Sequence, residues 1–376
     1  MSITVKPLKP TRSELLSYVK FGINLYKDNP YHVPPLVIDE IETLSPTKNP
    51  AFDICRAQSF MAYKNGEPAG RVTAIINDAV NEKGNTKILR FGFVDFIDDK
   101  EVVDALFKAA EDWGRERGMD TIVGPLGFSD MDHEGMLIDG FDEIGTMATI
   151  YNYPYYVTHM ERMGFEKEVD WVEYRMKVPE AIPDKYARIA QIVKTKYNLR
   201  SIPLTSRKTV KEKYGQKLFQ LINEAYADLY GFSPLTKRQI DYYVDQYLGI
   251  IRLECVSVIV DENDDIVAVG ISMPSLSKAL QKSKGKLFPT GWFHLLGALK
   301  GKTDVVDLLL VAVKPEYQSK GVNALIFADL IPAFIKAGYK EAESNPELEG
   351  NENVQKQWEY FERRQHRRRR AWTKKL

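Results

Sequence analysis

Apolar positions follow two periods along the chain. Residues 59–64 and 70–77 read as two strands joined at Asn65-Gly66. That dipeptide favours a tight hairpin turn, because both its residues accept positive φ. A third strand is predicted over 89–96. Val102, Val103, Leu106, Ala109, Ala110 and Trp113 then recur at helical spacing, so a helix spans 100–117 and stops at Gly118. A short strand at 121–123, a loop, a helix near 155–163 and a strand near 171–178 follow. Ahead of all this, a helix is read near 12–26, with a proline-rich extended loop after it.

The second half repeats the order. A strand is predicted at 199–204, helices at 214–230 and 237–248, and strands at 255–260 and 266–273. Next come a strand at 305–313, a helix at 321–337, a short strand at 341–344, a helix near 353–361 and a basic closing strand. An insertion at 274–301 interrupts the pattern. The pattern predicts an α/β (α+β) chain of two domains, 1–180 and 199–376, joined by a linking helix at 181–198. Each domain would be a mixed, mostly antiparallel sheet flanked by helices.

Composition narrows the function classes. The chain has 376 residues, 44% hydrophobic and 28% charged, which suits two domains with buried cores. Its 52 basic and 52 acidic side chains cancel, so no global field draws it to nucleic acid. Two cysteines cannot build a disulfide framework or a four-ligand zinc site. No signal-peptide pattern opens the sequence and no apolar run is long enough to span a bilayer. The expectation is a cytoplasmic protein with no membrane partner, no metal and no nucleic-acid partner.

One segment carries chemistry. After the apolar strand 305–313, the sequence runs Lys314-Pro-Glu-Tyr-Gln-Ser-Lys-Gly-Val-Asn-Ala into a helix. Amides at a helix start lack intrahelical partners, and with the helix dipole they seat phosphates. Glycine lets the backbone approach the anion. Gln318, Gly321 and Asn323 resemble the Gln/Arg-x-x-Gly-x-Gly/Ala loop of the GNAT acetyltransferase superfamily, with Asn323 departing at the last position. The resemblance covers about 200–376. It implies that backbone around Leu310, Val311, Ala312 and Val313 pairs with the pantetheine arm of acetyl-CoA or another acyl-CoA. It also implies that Gln318, Ser319, Lys320, Gly321, Val322, Asn323 and Ala324 hold the diphosphate.

The first half resembles the same fold without the loop. Its counterpart holds Asp95, Asp98 and Asp99 and no glycine, so it reads as a degenerate copy, with Asp98 or Asp99 as a helix N-cap. The tandem arrangement resembles Fem-type peptidyltransferases and N-myristoyltransferases.

An amine must lose a proton before it attacks a thioester, and the expelled thiolate can take one. The resemblance places the acid in the last helix, where Asn351, Val354 and Trp358 fall on the family's Asn, Ala and Tyr. Tyr360 is the nearest phenol and the candidate acid. Asp307, and Glu343 or Asn345 beside the short strand, are the candidate bases, with a solvated carboxylate as the alternative for each acid. Tyr226, Tyr230 and Phe232 lie where this family shapes its acceptor pocket. The expected reaction is N-acylation, most simply acetylation, of a small-molecule or peptide amine.

Other features compete. Asp130-Met-Asp-His-Glu-Gly opens like a calcium loop, but its twelfth position is Phe141. The acid-rich segment 124–140 could instead line a substrate site. The basic tail, Arg363 to Lys375, reads as a closing hairpin with arginines facing solvent or CoA phosphates, or as a surface for RNA. The insertion could cover a groove, pack between domains or form a homodimer contact. The rival readings are a non-catalytic binding protein and a Fem-like transferase using aminoacyl-tRNA.

Overall fold

Alternating apolar residues on the first hairpin pack onto a helix whose apolar stripe matches them, and this pairing recurs in both halves. The computed structural model describes residues 2–376. Two units emerge from its contacts. The first runs to Val172 and takes in Ser277–His294 and His366–Leu376; the second holds Glu173–Leu276 and Leu295–Gln365.

In chain order the first stretch comprises β1 (Ile3–Pro7), α1 (Arg12–Leu25), α2 (Val37–Thr43), β2 (Cys55–Lys64), β3 (Glu67–Asn77), α3 (Asp78–Gly84), β4 (Ile88–Phe96), α4 (Lys100–Arg115), β5 (Thr121–Gly124), β6 (Met136–Asp139), α5 (Tyr155–Arg162) and β7 (Glu166–Lys177). Then follow α6 (Asp184–Lys196), β8 (Arg200–Ser201), α7 (Arg207–Ala225), α8 (Lys237–Leu248), β9 (Val256–Val260), β10 (Ile266–Pro274), α9 (Ser277–Ser283) and α10 (Gly291–Leu299). The last elements are β11 (Val305–Val313), α11 (Asn323–Ala337), β12 (Glu341–Ser344), β13 (Glu347–Leu348), α12 (Glu352–Lys356) and β14 (Arg363–Lys375). Mixed sheets, mostly antiparallel and flanked by helices, are the architecture the sequence pattern predicts.

The first unit's sheet runs β1-β2-β3-β4-β5-β14. Its strands pair antiparallel except β4 with β5, which are parallel. The second unit's sheet runs β8-β9-β10-β11-β12-β7, again with one parallel step, β11 with β12. Each unit is closed by a strand from a distant part of the chain. β14 lies antiparallel to β5, Trp372 opposite Gly124, whereas residues 175–177 of β7 lie antiparallel to β12.

Local chemistry sets the helix starts. Asp99 caps α4 by accepting the Val102 N–H at 3.1 Å. Thr236 and Gln239 form a reciprocal capping box on α8. α7 begins at Arg207, earlier than the apolar period suggests, because Ser206 caps it. In the second unit α11 sits on β9 and β10, where Gly270 makes room: a Cβ there would come within 2.4 Å of Ile326. In the first unit Phe91, Phe96 and Phe107 centre the core beneath α4.

The central arginines of the basic tail are internal structure. Arg367 and Arg369 are buried and donate to the carbonyls of Ile144 and Ile150. Arg368 and Arg370 bond the buried carboxylate of Asp170, Arg370 from Nε at 2.7 Å. Neither the solvent-facing hairpin nor the RNA surface describes these arginines. Alternation along β14 had to bury one set and pair the other.

Candidate functional site

β11 is zipped to β12 only from Val305 to Leu308. Asn345 ends the zip: its N–H bonds the Leu308 carbonyl at 3.1 Å and its side chain the Leu309 carbonyl at 2.9 Å. Beyond that point β11 keeps β10 on one side, with Ile271 opposite Leu310, while β12 has ended. A bulge sits at the fork: Ser272 faces Leu308 and Ile271 faces Leu310, so Leu309 is the extra residue. Residues 308–311 are part-exposed. A strand edge opened this way offers backbone donors and acceptors to an extended ligand.

That edge leads into the loop before α11. Pro315–Tyr317 makes one 3₁₀ turn. Ser319 and Gly321 both take positive φ, 58° and 78°. The N–H groups of Gln318, Lys320 and Ala324 bond back to Pro315, Tyr317 and Gly321. Those of Ser319, Gly321, Val322 and Asn323 have no acceptor among the described residues. Gln318 also ties its side chain to the Val313 carbonyl at 3.1 Å. The ammonium of Lys320 sits over Tyr197 and Tyr317, 5.5 and 5.6 Å from the ring centroids. Gly321 has a second role: a Cβ there would meet Ile189 of α6 at 2.9 Å.

Asp307 and Glu343 lie directly opposite one another in the parallel register, both buried. Glu173 of β7 is buried too, and its carboxylate lies within 4.8 Å of that of Glu343. The carboxylates of Glu173 and Glu343 thus meet at the closed end of the fork, and Asp307 stands opposite Glu343 in the register.

Tyr360 has other neighbours. Its ring carries the Lys185 ammonium 3.8 Å from the centroid and packs edge-on to Tyr186, so its contacts are with α6. Where the family resemblance expects a tyrosine, Trp358 is buried and donates its indole N–H to Glu347 at 2.7 Å. Burial pushes Glu347 up to about 7, against the opposing pull of the indole hydrogen bond and Arg363. The other carboxylate oxygen has no partner among the described residues. Glu347 lies two residues past Asn345, just beyond the fork. Sequence reasoning missed it, because an acid in Asn345-Pro-Glu-Leu-Glu-Gly reads as an exposed turn.

Tyr226 donates its hydroxyl to the Val311 carbonyl at 2.9 Å, reaching the open part of β11. Phe232 packs edge-on to Tyr226 and is buried, while Tyr230 is half-buried.

The first unit has the same fork with its opening filled. A bulge falls between Gly92 and Asp95, and Phe93 takes φ 47°. Leu126 then closes on the strand, its N–H on the Phe91 carbonyl at 2.8 Å. Asp95 is buried beside Arg71 at 2.7 Å and Tyr26 at 2.8 Å. A phosphate would meet a carboxylate here. In the segment after β5, Asp132 accepts the N–H groups of Phe128 and Ser129, and burial pushes it up to about 6. These bonds shape the loop from within.

No family model matches the chain. Protein YghO of Escherichia coli (strain K12) is 30% identical over 324 residues, 86% of this chain and 82% of that protein. The chain belongs to the YghO family. This YghO-family chain is also 29% identical to the bacterial ceramide synthase of Caulobacter vibrioides (strain NA1000 / CB15N), over 84% of its own length and 82% of the synthase. Among solved structures, a tandem GNAT protein from the clavulanic acid biosynthesis pathway superposes with a TM-score of 0.56 at 11% identity, covering 100% of this chain and 98% of that one. The fold of this YghO relative is therefore that of tandem GNAT proteins.

Proposed function

We propose that the protein is an acyl-CoA-dependent N-acyltransferase whose acceptor is a long-chain amine. The observation that carries this reading is the continuous track in the second unit: an open β11 edge after the Leu309 bulge, running into four unpaired loop amides at the start of α11. The pantetheine arm would pair along Leu310–Val313, and the diphosphate would sit on the amides of Ser319, Gly321, Val322 and Asn323. The first unit binds no CoA in this reading, because Asp95 and Leu126 occupy the equivalent positions.

The acceptor class comes from the relative named a ceramide synthase. A ceramide is the amide of a fatty acid with a long-chain amino alcohol, so that relative's name points to a lipid amine. Long-chain acyl-CoA replaces acetyl-CoA as the preferred donor in this assignment. Tyr226, Tyr230 and Phe232 would line the acceptor side.

In the reaction the amine nitrogen attacks the thioester carbonyl carbon. The tetrahedral intermediate collapses with cleavage of the C–S bond, and CoA leaves as thiolate. One amine proton passes to a base and then to the thiolate sulfur. Glu347 is suited to carry it: a carboxylate titrating near 7 is ionised often enough to accept and acidic enough to return the proton. Asp307 and Glu343 remain candidates for the same relay through water. Backbone N–H groups at the bulge would polarise the carbonyl.

A thermal melt of the full chain with palmitoyl-CoA, acetyl-CoA and free CoA tests the assignment, alongside Ser319→Glu. Ser319 is exposed and already holds positive φ, so the change adds a carboxylate among the amides without a new steric conflict. The expected result is a shift with palmitoyl-CoA that S319E removes while its own melting temperature holds. An unchanged melt with every thioester sinks the proposal.

A further inference from the structure

The insertion between β10 and β11 contains an exposed apolar surface that the acyl-transfer reading does not use. Phe288 is 77% exposed, Phe293 62%, Leu296 43% and Trp292 38%. Three of them share one side of α10. At roughly 100° per residue, Trp292, Leu296 and Phe293 fall within an arc of about 100°. Leu295 and Ala298 are buried and point elsewhere on the wheel, anchoring the helix. The Arg252 guanidinium fastens its end by donating to the Leu299 carbonyl at 3.0 Å. A helix that buries one side ordinarily turns polar residues outward. Here the outward side carries stacked aromatic rings, Trp292 on Phe293 with centroids 3.7 Å apart.

The charge along this stretch of sequence is one-sided. From Ile266 to Thr303 the sequence contains no aspartate or glutamate, although acids and bases are equal in number over the whole chain. The same stretch holds Lys278, Lys282, Lys284, Lys286, Lys300 and Lys302, all exposed. Lysines thus flank α10 on both sides of its sequence. Exposed tryptophan and phenylalanine flanked in sequence by lysine match the two layers of a bilayer surface: rings enter the acyl boundary, and ammonium groups meet anionic headgroups.

We propose that the α10 segment docks the protein onto an anionic lipid surface, with Phe288, Trp292, Phe293 and Leu296 inserted and the flanking lysines on headgroup phosphates. No helix among the described residues is long and apolar enough to cross a membrane, and α10 would lie in the interface instead. Docking at a lipid surface departs from the expectation of no membrane partner, which rests on the lack of an apolar run long enough to span a bilayer. Docking does not depend on acyl-CoA binding. It would bring the protein to the phase that holds a lipid amine, and the two proposals fail separately.

The test is co-sedimentation of the full chain with vesicles of phosphatidylglycerol and phosphatidylcholine, against phosphatidylcholine alone, without any CoA compound. Binding should require phosphatidylglycerol and fall with added salt. F288E/F293E alters two well-exposed rings, and K284E/K286E reverses two exposed charges. Each should weaken binding roughly tenfold or more while the melting temperature is unchanged. If the wild-type chain stays in the supernatant at low ionic strength, or if both variants bind as it does, the proposal is overturned. It is also overturned if light scattering shows a dimer that F288E/F293E dissociates and that leaves no lipid binding.

Discussion

The indole N–H of Trp358 lies 2.7 Å from the carboxylate of Glu347, in a place where burial pushes that acid from 4.5 up to about 7. Trp358 therefore opposes the burial, since a donated hydrogen bond favours the ionised form. Trp358→Phe removes the donor and moves the Glu347 titration further up. If Glu347 is the base, the acidic limb of the kcat/KM profile moves to higher pH in W358F and disappears in E347Q. A limb that stays in place in both variants assigns the base elsewhere.

Glu347 also gives a stability signature of known sign. Its folded titration lies above its unfolded one, so the native state holds the proton more tightly. Stability from this group is full below 4.5 and is lost as pH rises toward 7. Its part-exposed side chain discounts the effect to about 2 kcal/mol. The unfolding free energy of E347Q relative to the parent chain, from urea titrations at mildly acid and neutral pH, should change by that amount.

In the first unit Arg71 is locked between Glu40 at 2.5 Å and Asp95 at 2.7 Å, with its guanidinium over the Tyr18 ring. Gly22 makes the space: a Cβ there would come within 2.3 Å of Arg71 Nη2. The guanidinium cannot retreat without stranding two buried carboxylates. Gly22→Ala should cost about 3 kcal/mol in a denaturant titration.

Asp170 holds Arg368 and Arg370 from a buried position. Burial alone would raise its titration, but hydrogen bonds from Arg370 and Arg368 prevail and bring it below the usual value. Its stabilisation is therefore present at neutral pH and is lost in acid, as pH falls through the lowered value. Asp170→Asn leaves two guanidinium groups facing a neutral amide and should cost roughly 3 kcal/mol. A chemical melt at neutral pH reads that loss, and the difference from the parent should shrink in strong acid.

Gly321 serves conformation as well as any ligand. Its φ is 78°, and an added methyl would stand 2.9 Å from Ile189, so Gly321→Ala should lower stability by about 1–2 kcal/mol. Ser319→Glu should not, and the contrast between the two melts separates packing against α6 from anion binding.

The element order was legible because both halves carry strong periods and clear breaks. The 321 glycine and the apolar strand before it could be read directly, and the cap of α4 was narrowed to Asp98 or Asp99, of which the structure uses Asp99. Glu347 could not, since its titration depends on burial beside Trp358, which no local pattern announces. The arginines of β14 were opaque for a related reason. A run of like charges reads as solvated until Asp170, about 200 positions away in sequence, is brought against it. The edge each closing strand would join was equally hidden, because a strand's composition states that it pairs and not with what.

That closing strand governs the order of biosynthesis. The first unit's sheet lacks β14 until residues 366–376 have left the ribosome, so the half made first is completed last. While the second half is being translated, β5 presents an unpaired apolar edge that a nascent chain must shield. A stop codon or protease cut just before His366 would thus damage the amino-terminal half of the protein, far from the lesion in sequence.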